Sequence, residues 1–214
     1  RLDSTMLKVR IVVANAPSCS RFLATVFVRW MAACSEVCFV MNLCTNAYHA
    51  MRDSGVIEQV GRGLFRMASL PPMEEPDLAV VAKKCPVGVV CLISALAVHQ
   101  LTTRIPNTVQ IAVPPGTRSP VKSYPPVEVF RYSLETLSLG VEERLIDGVR
   151  VKIFVPEKTI ADAFKFRNKI GLDAAVESLR SYAKRKNRRL DLVGDFAKAC
   201  RVQNIIQPYL EALL

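Results

Sequence analysis

The sequence predicts an α+β protein with an N-terminal winged helix-turn-helix-like domain and a larger α/β domain. The second domain is predicted to hold a small, mostly antiparallel sheet followed by C-terminal helices. A short helical run followed by a glycine-rich hairpin at Asn46–Met67 predicts the first domain. Alternating strands over residues 105–155 and amphipathic patterns after Pro156 predict the second. Prolines and acids at 69–77 indicate a linker between domains 1–68 and 78–214.

The stretch Asn46–Met67 reads as a helix, a turn and a hairpin. Ser54-Gly55 ends the helical run, and apolar residues on either side of Gly61–Gly63 alternate as strands. The two glycines permit the positive φ angles that a hairpin turn needs.

Arginines lie at the tip and on the returning strand of this hairpin, at Arg62 and Arg66. A helix followed by a hairpin with a basic tip is typical of a winged helix-turn-helix, whose helix enters the major groove of DNA while the wing contacts the backbone or the minor groove. A surface hairpin with solvated arginines fits the same residues.

Charge is distributed unevenly along the 214 residues, which carry a net charge of +10. The excess of Lys and Arg lies before residue 71 and after residue 155, and the middle is nearly neutral. An anionic partner is therefore expected, nucleic acid before an acidic protein.

The seven cysteines form no paired framework, which indicates reduced thiols and a cytoplasmic protein. Cys34, Cys38, Cys44 and His49 have a loosely metal-like arrangement, but no CxxC is present, and cysteine in an apolar run behaves as a small hydrophobic residue. No metal site is predicted.

Residues 22–44 are the most apolar stretch of the chain. Arg29 and Glu36 lie inside it, and each costs about 2.5–3.5 kcal/mol at the centre of a bilayer. A buried helix is therefore favoured over a membrane span. Residues 1–43 are atypical for the first half of a winged helix-turn-helix.

The second domain begins with a predicted short helix at Leu78–Lys84. The apolar run Val87–Leu101 predicts a buried helix from about Val89, with His99 as a capping or core residue. Strands are predicted at 108–113 and 127–132, and a hairpin around Asp147-Gly148. Four helices are predicted after Pro156, at 156–171, 172–184, 190–200 and 202–213.

A basic run at residues 184–189 has two interpretations. It is either a solvated helix end, where cations suit the helix dipole, or an anion-binding patch for nucleic acid or a protein partner. Its five cations are Lys184, Arg185, Lys186, Arg188 and Arg189.

Catalytic motifs are not found in the sequence. It holds no Walker P-loop, GxGxxG, HExxH or GxSxG. The adjacent acids Glu142 and Glu143 point to opposite faces of a predicted edge strand, so they make a poor catalytic pair. We expect no enzyme, no catalytic residue and no cofactor.

Three segments in order resemble the AbiEi-type antitoxins of type IV toxin–antitoxin systems: GVIEQVGRGLFRM, PVGVVCLISALAVHQLTTRIPNTVQIAVP and IDGVRVKIFVPEKTIADAFKFRNKIGLDAAVESLRSY. The resemblance covers about residues 44–200. It implies a bacterial antitoxin whose winged helix-turn-helix binds the operator DNA of its own operon and represses it.

The same resemblance implies the DNA contacts and the partner. Asn46–Ser54 corresponds to the recognition helix and Glu58–Met67 to the wing. The functional partner is a nucleotidyltransferase-like toxin, and a direct complex with it is not required. The alternative is a protein-interaction module in which the first domain has lost DNA binding. The implied DNA contacts are Arg62, Arg66, Arg52, Tyr48 and His49.

Overall fold

The computed structural model describes residue 49 and residues 51–61, 64–70, 72–117 and 124–213. Contacts between residues divide the chain into two units, and the larger one holds Pro71–Leu214 together with Val60–Arg62. The buried helix predicted at residues 22–44 lies outside the described residues.

The first unit contains a helical turn and a hairpin. His49 and residues 51–53 are helical, and β1 (Ile57–Gly61) pairs with β2 (Leu64–Met67) in a two-stranded sheet. The predicted hairpin is therefore confirmed. The predicted helix-turn-helix around it depends on residues outside the described part of the chain.

The larger unit is an α+β structure built on a mixed sheet. In the described residues its five strands have the order β5-β4-β3-β7-β6. The strands are β3 (Val89–Val90), β4 (Val109–Val113), β5 (Val127–Arg131), β6 (Val141–Ile146) and β7 (Val149–Phe154). The helices are α1 (Pro76–Lys84), α2 (Leu92–Val98), α3 (Leu134–Ser138), α4 (Pro156–Lys165), α5 (Arg167–Ile170), α6 (Leu172–Ala183), α7 (Leu190–Ala199) and α8 (Gln203–Glu211).

The sheet is not mostly antiparallel, so that part of the sequence prediction is wrong. β3 pairs antiparallel with β4 but parallel with β7, and β4 pairs parallel with β5. The second antiparallel pair is β6 with β7, which a tight turn joins. β4 and β5 are thirteen residues apart in the sequence, a separation compatible with a parallel pair, which needs a connection of about a dozen residues or more.

The apolar run after Val87 is a strand followed by a helix, which corrects the prediction of a helix from about Val89. Val89–Val90 forms the central strand, and Cys91 is still extended, with φ −139° and ψ 175°. Leu92 then turns the chain sharply with φ 49°. The Gln110 side chain accepts a hydrogen bond from the Ile93 N–H at 2.8 Å, so β4 satisfies an N–H group at the start of α2.

Helices cover both faces of the sheet. α1 contacts β7 and β4, and its buried side chains are Leu78, Ala79, Val80 and Val81. On the other side, α4 contacts α2, α6 and α7 around a core that includes Phe130, Phe154 and Phe164. The predicted helices after Pro156 are confirmed, except that the first is interrupted at Phe166.

The turn between β6 and β7 also holds the start of α1. Asp147 and Gly148 have φ angles of 50° and 75°, as the Asp-Gly pattern predicts for a tight hairpin. The Asp147 carboxylate accepts hydrogen bonds from the backbone N–H groups of Glu74 and Glu75, each at 2.9 Å. It therefore acts as a remote cap for α1, whose own N-cap residue Glu75 makes no side-chain capping bond.

We expect Asp147→Gly to lower the free energy of unfolding by about 1–2 kcal/mol, because it keeps the turn but removes both charge-assisted hydrogen bonds. Asp147→Ala should cost about 1 kcal/mol more, since alanine must adopt a left-handed φ. Urea unfolding of the full chain measures both. Asp147→Asn, which keeps one acceptor oxygen and tolerates this φ, should fall between wild type and Asp147→Gly. Equal stability of Asp147→Gly and wild type would contradict the capping role.

Candidate nucleic-acid interface and a buried polar cluster

The hairpin follows directly on the end of a helical turn. The N–H groups of Gly55 and Val56 donate to the carbonyls of Arg52 and Met51, both at 3.0 Å, and Gly55 has φ 71°. This is the glycine-terminated helix end that the sequence predicts. Apolar side chains that hold the segment together are buried: Met51, Ile57, Leu64 and Phe65.

Two of the predicted DNA contacts, Arg62 and Tyr48, lie outside the described residues. His49 is exposed on the helical turn. The Arg52 guanidinium lies 2.9 Å from the carboxylate of the neighbouring Asp53, and its side chain is 43% exposed. His49 and Arg52 are thus both on the surface of the segment that corresponds to a recognition helix.

Arg66 lies in a different environment from the other predicted contacts. It is buried, and its guanidinium forms an ion pair with Glu58 on the opposite strand. A cross-strand charge pair of this kind stabilises a hairpin. The structure therefore gives Arg66 a contact within the hairpin, and its contact with DNA stays a prediction.

The basic run lies between α6 and α7, and two of its five cations are attached to buried groups. The Arg185 guanidinium donates to the backbone carbonyl of His99. The backbone N–H of Arg189 donates to the Tyr182 hydroxyl at 3.0 Å, and the Arg189 Nε lies 3.8 Å from Glu157 Oε1. Lys184, Lys186 and Arg188 are exposed without such an attachment, and the Arg189 side chain is itself 66% exposed.

Tyr182 and Glu157 link this loop to the interior. The Tyr182 hydroxyl donates to Glu157 Oε1 at 2.6 Å, and both residues are buried. Burial, and then the hydrogen bond to Glu157, raise the pKa of Tyr182. Glu157 and Tyr182 lie 25 positions apart on different helices, so the sequence pattern did not indicate their bond.

His99 is a buried structural residue, which confirms the sequence prediction. It is 4% exposed, and Nε2 lies 2.7 Å from the Phe154 carbonyl. Because a carbonyl can only accept, Nε2 carries the proton. Burial lowers the pKa of His99, and the nearby cations Arg144 and Arg185 lower it further.

A polar cluster that the sequence did not reveal lies inside α4. Lys158 Nζ is 2.6 Å from Asp162 Oδ1, and both side chains are 0% exposed. The Lys158 ammonium also lies 4.8 Å from the centre of the Phe154 ring and 5.3 Å from that of Tyr132. Cys200 Sγ lies 3.4 Å from the same carboxylate oxygen. One turn of helix thus places a charge pair where solvent cannot reach it.

The electrostatics of this cluster favour a structural role. Burial raises the pKa of Asp162, although the Lys158 ammonium opposes the shift. Burial also raises the pKa of Cys91 and Cys200, so neither thiol is activated as a nucleophile. Two buried side-chain oxygens in the described part of the chain, the Tyr132 hydroxyl and Asp162 Oδ2, have no hydrogen-bond partner. A spacing of Lys and Asp four residues apart on an otherwise buried helix is the signal that could have revealed the pair.

A cleft of about 480 Å³ lies among the start of α1, the end of α2 and the loop that follows α2. Burial and the neighbouring acids Asp147, Asp77 and Glu74 raise the pKa of Glu75 at its rim. Arg104, the cation in its lining, forms an ion pair with Asp173 and donates to the Ile170 carbonyl at 2.8 Å. The Arg104 side chain in this cleft is therefore already bound by other groups of the protein.

The described part of the chain holds neither a metal-binding cluster nor a membrane-spanning helix. Those residues contain no group of three or more His, Cys, Asp or Glu side chains that could hold a metal ion. Within the same ranges, no helix has the length and apolar character needed to cross a membrane. Among the described cysteines, Cys85, Cys91 and Cys200 are free and buried.

Comparison with known proteins gives a structural likeness alone. No family model matches the chain, and no curated protein matches it. The crystal structure of the RV2827C protein from Mycobacterium tuberculosis is similar, with a TM-score of 0.46 and 16% sequence identity. The match covers 78% of this chain and 68% of that chain. A likeness at this level carries no information on function.

We expect Lys158→Met to lower the free energy of unfolding by about 3–5 kcal/mol, because it leaves the Asp162 carboxylate buried without its cation. Adding Asp162→Asn should recover part of the loss, since the double variant buries no charge. Urea unfolding of both single variants and the double variant gives the coupling energy. Additive losses would contradict a direct interaction within the pair.

The lowered pKa of His99 predicts that the protein loses stability in mild acid. Its folded-state pKa is below the ordinary value of 6.5, so the unfolded chain takes up the proton first as the pH falls. The stabilisation is therefore complete above about pH 6.5 and declines below it, by at most about 1.4 kcal/mol per pH unit.

His99→Gln should flatten this part of the pH dependence, measured as the free energy of unfolding in urea between pH 7.5 and 5.5. The control is His49→Gln, which keeps His99 and should keep the slope. An unchanged slope in His99→Gln would assign the pH dependence to other groups.

Proposed function

We propose that the protein is the antitoxin of a type IV toxin–antitoxin system and a DNA-binding autorepressor of its own operon. The observation that carries the DNA-binding half is the order of elements at residues 49–67. A helical turn ends at Gly55, and a two-stranded hairpin follows at once. A recognition helix and its wing follow one another in this way.

In this proposal, the helical turn lies in the major groove and the hairpin contacts the backbone beside it. His49 and Arg52 are exposed on the turn and supply contacts there, together with Tyr48. Arg62 supplies a phosphate contact at the hairpin tip. Arg66 stabilises the hairpin, because its ion pair with Glu58 joins one strand to the other.

The antitoxin half of the proposal belongs to the larger unit. Its support is the resemblance of two segments in Pro71–Leu214 to AbiEi-type antitoxins. The proposed partner is a nucleotidyltransferase-like toxin, and the proposed location is the cytoplasm. The role needs no catalysis, cofactor or direct complex with the toxin.

A second candidate is a protein-interaction module without DNA binding. It is favoured by the independence of the larger unit, which has its own mixed sheet and its own buried core. In that case the full chain recognises no operator. Antitoxicity also persists in variants that cannot bind DNA.

We expect Arg62→Ala to weaken binding to the DNA upstream of the protein's own gene, and to reduce the slope of log K against log salt by about 0.9. The loss should be similar on unrelated duplex DNA, because a phosphate contact reads no sequence. Mobility-shift titrations at several salt concentrations measure the slope. Lys152→Ala removes an equal charge from an exposed position on β7 and is the matched control.

The outcomes separate the two candidates. If wild type binds upstream and unrelated DNA equally, the repressor proposal fails. Co-expression with the toxin from an unrelated promoter then tests the other half, using the full chain with Arg52→Ala and Arg62→Ala. Rescue by this variant assigns antitoxicity to the larger unit, and no rescue by wild type overturns the antitoxin proposal.

A further inference from the structure

The basic loop, residues 184–189, is fixed to the interior at two points. Arg185 donates to the carbonyl of His99 at the end of α2, and Arg189 approaches Glu157 in α4. Both of these partners are buried, at 4% and 6% exposure. The Tyr182 hydroxyl completes the second attachment, because it donates to Glu157 and accepts from the Arg189 N–H. Two residues of the loop are therefore attached to buried groups of the larger unit.

The remaining cations of the loop face solvent. Lys184, Lys186 and Arg188 are exposed, and none of them forms an ion pair with another described residue. The Arg189 side chain is 66% exposed despite its approach to Glu157. A short fixed loop thus presents concentrated positive charge, and an anion binding there loses little loop entropy.

A solvated helix end does not account for the whole loop. Cations stabilise the last turn of a helix, which explains Lys184 at the C-cap of α6. The effect fades beyond that turn, and Lys186 and Arg188 lie past it. The capping role therefore leaves at least two cations without a structural use.

The composition of the loop favours nucleic acid over a protein partner. Residues 184–189 contain no apolar side chain. Protein–protein interfaces have an apolar core from which lysine is depleted. Phosphate backbones, in contrast, can be bound by Lys and Arg side chains without any apolar contact, and each phosphate that such a cation neutralises releases a counterion.

We propose that the basic loop is a second nucleic-acid contact of this protein, in the larger unit, and that Lys184, Lys186 and Arg188 bind backbone phosphates there. Arg185 and Arg189 position the loop. The site adds affinity for duplex DNA without sequence preference. This inference rests on the proposed function for the choice of duplex DNA as the ligand.

The test compares two triple variants of the full chain that lose the same charge. Lys184→Gln, Lys186→Gln and Arg188→Gln remove the proposed contacts. The control removes three exposed cations from elsewhere in the larger unit by Arg150→Gln, Lys152→Gln and Arg180→Gln. Circular dichroism and urea midpoints verify that both variants fold.

Binding to an unrelated 30-bp duplex is measured by fluorescence anisotropy over a series of salt concentrations. We expect the loop variant to reduce the slope of log K against log salt by about 2–3, at about 0.9 per lost contact. The control variant should keep the wild-type slope. A slope unchanged in the loop variant, or reduced equally in both, overturns the proposal.

Tyr182→Phe tests the positioning without changing the charge. It removes the hydroxyl that joins Glu157 to the loop, so we expect several-fold weaker binding to the unrelated duplex. Unchanged affinity in a folded Tyr182→Phe protein overturns the positioning role. Labelled poly-glutamate that binds wild type but not the loop variant, under conditions where both proteins show the same salt slope on the duplex, would assign the loop to an acidic protein and overturn the nucleic-acid assignment.

The design separates this inference from the proposed function. Preference for the upstream DNA over the unrelated duplex tests the hairpin as a sequence reader. The salt slope on the unrelated duplex tests the loop. If one of these two experiments gives a negative result, the other can still be interpreted.

Discussion

The ion pair between Lys158 and Asp162 is the interaction on which the larger unit most depends. It lies inside α4, the helix that contacts α2, α5, α6, α7 and α8. A charge without its partner at this position would disturb every helix around it, because a buried unpaired ion costs several kcal/mol. Because the two residues lie four apart on one helix, the helix itself brings the two charges together and no second element is needed to pair them. The rings of Phe154 and Tyr132 then enclose the ammonium.

The elements visible in the sequence were those defined by local chemistry. The Asp147-Gly148 turn, the Gly55 helix end and the amphipathic helices after Pro156 each follow from nearby residues. β3 could not be recognised, because two valines in a continuous apolar run look the same in a strand and in a buried helix. The strand is selected by its partners β4 and β7, which are distant in sequence. The same long-range pairing makes the sheet mixed.

The candidate contacts were identifiable as residue types, but their roles required coordinates. Arg66 looked like Arg62 in the sequence, yet a cross-strand acid binds it within the hairpin. The basic run looked uniform, yet buried partners distinguish Arg185 and Arg189 from their three exposed neighbours. Charge counting finds such clusters because charge is local in the sequence. It cannot tell a positioning cation from a binding cation, since that difference depends on groups such as the His99 carbonyl.

The hydrogen bonds between Asp147 and the segment before α1 have a consequence for sequence divergence. Its donors are backbone N–H groups, so the side chains at positions 74 and 75 can change freely while the attachment persists. The constraint falls on one acceptor in a two-residue turn. Homologues should therefore vary in the segment leading to α1 but keep Asp or Asn at the hairpin turn. Because these hydrogen bonds use backbone donors, side chains in the segment before α1 can be substituted without weakening the attachment of α1.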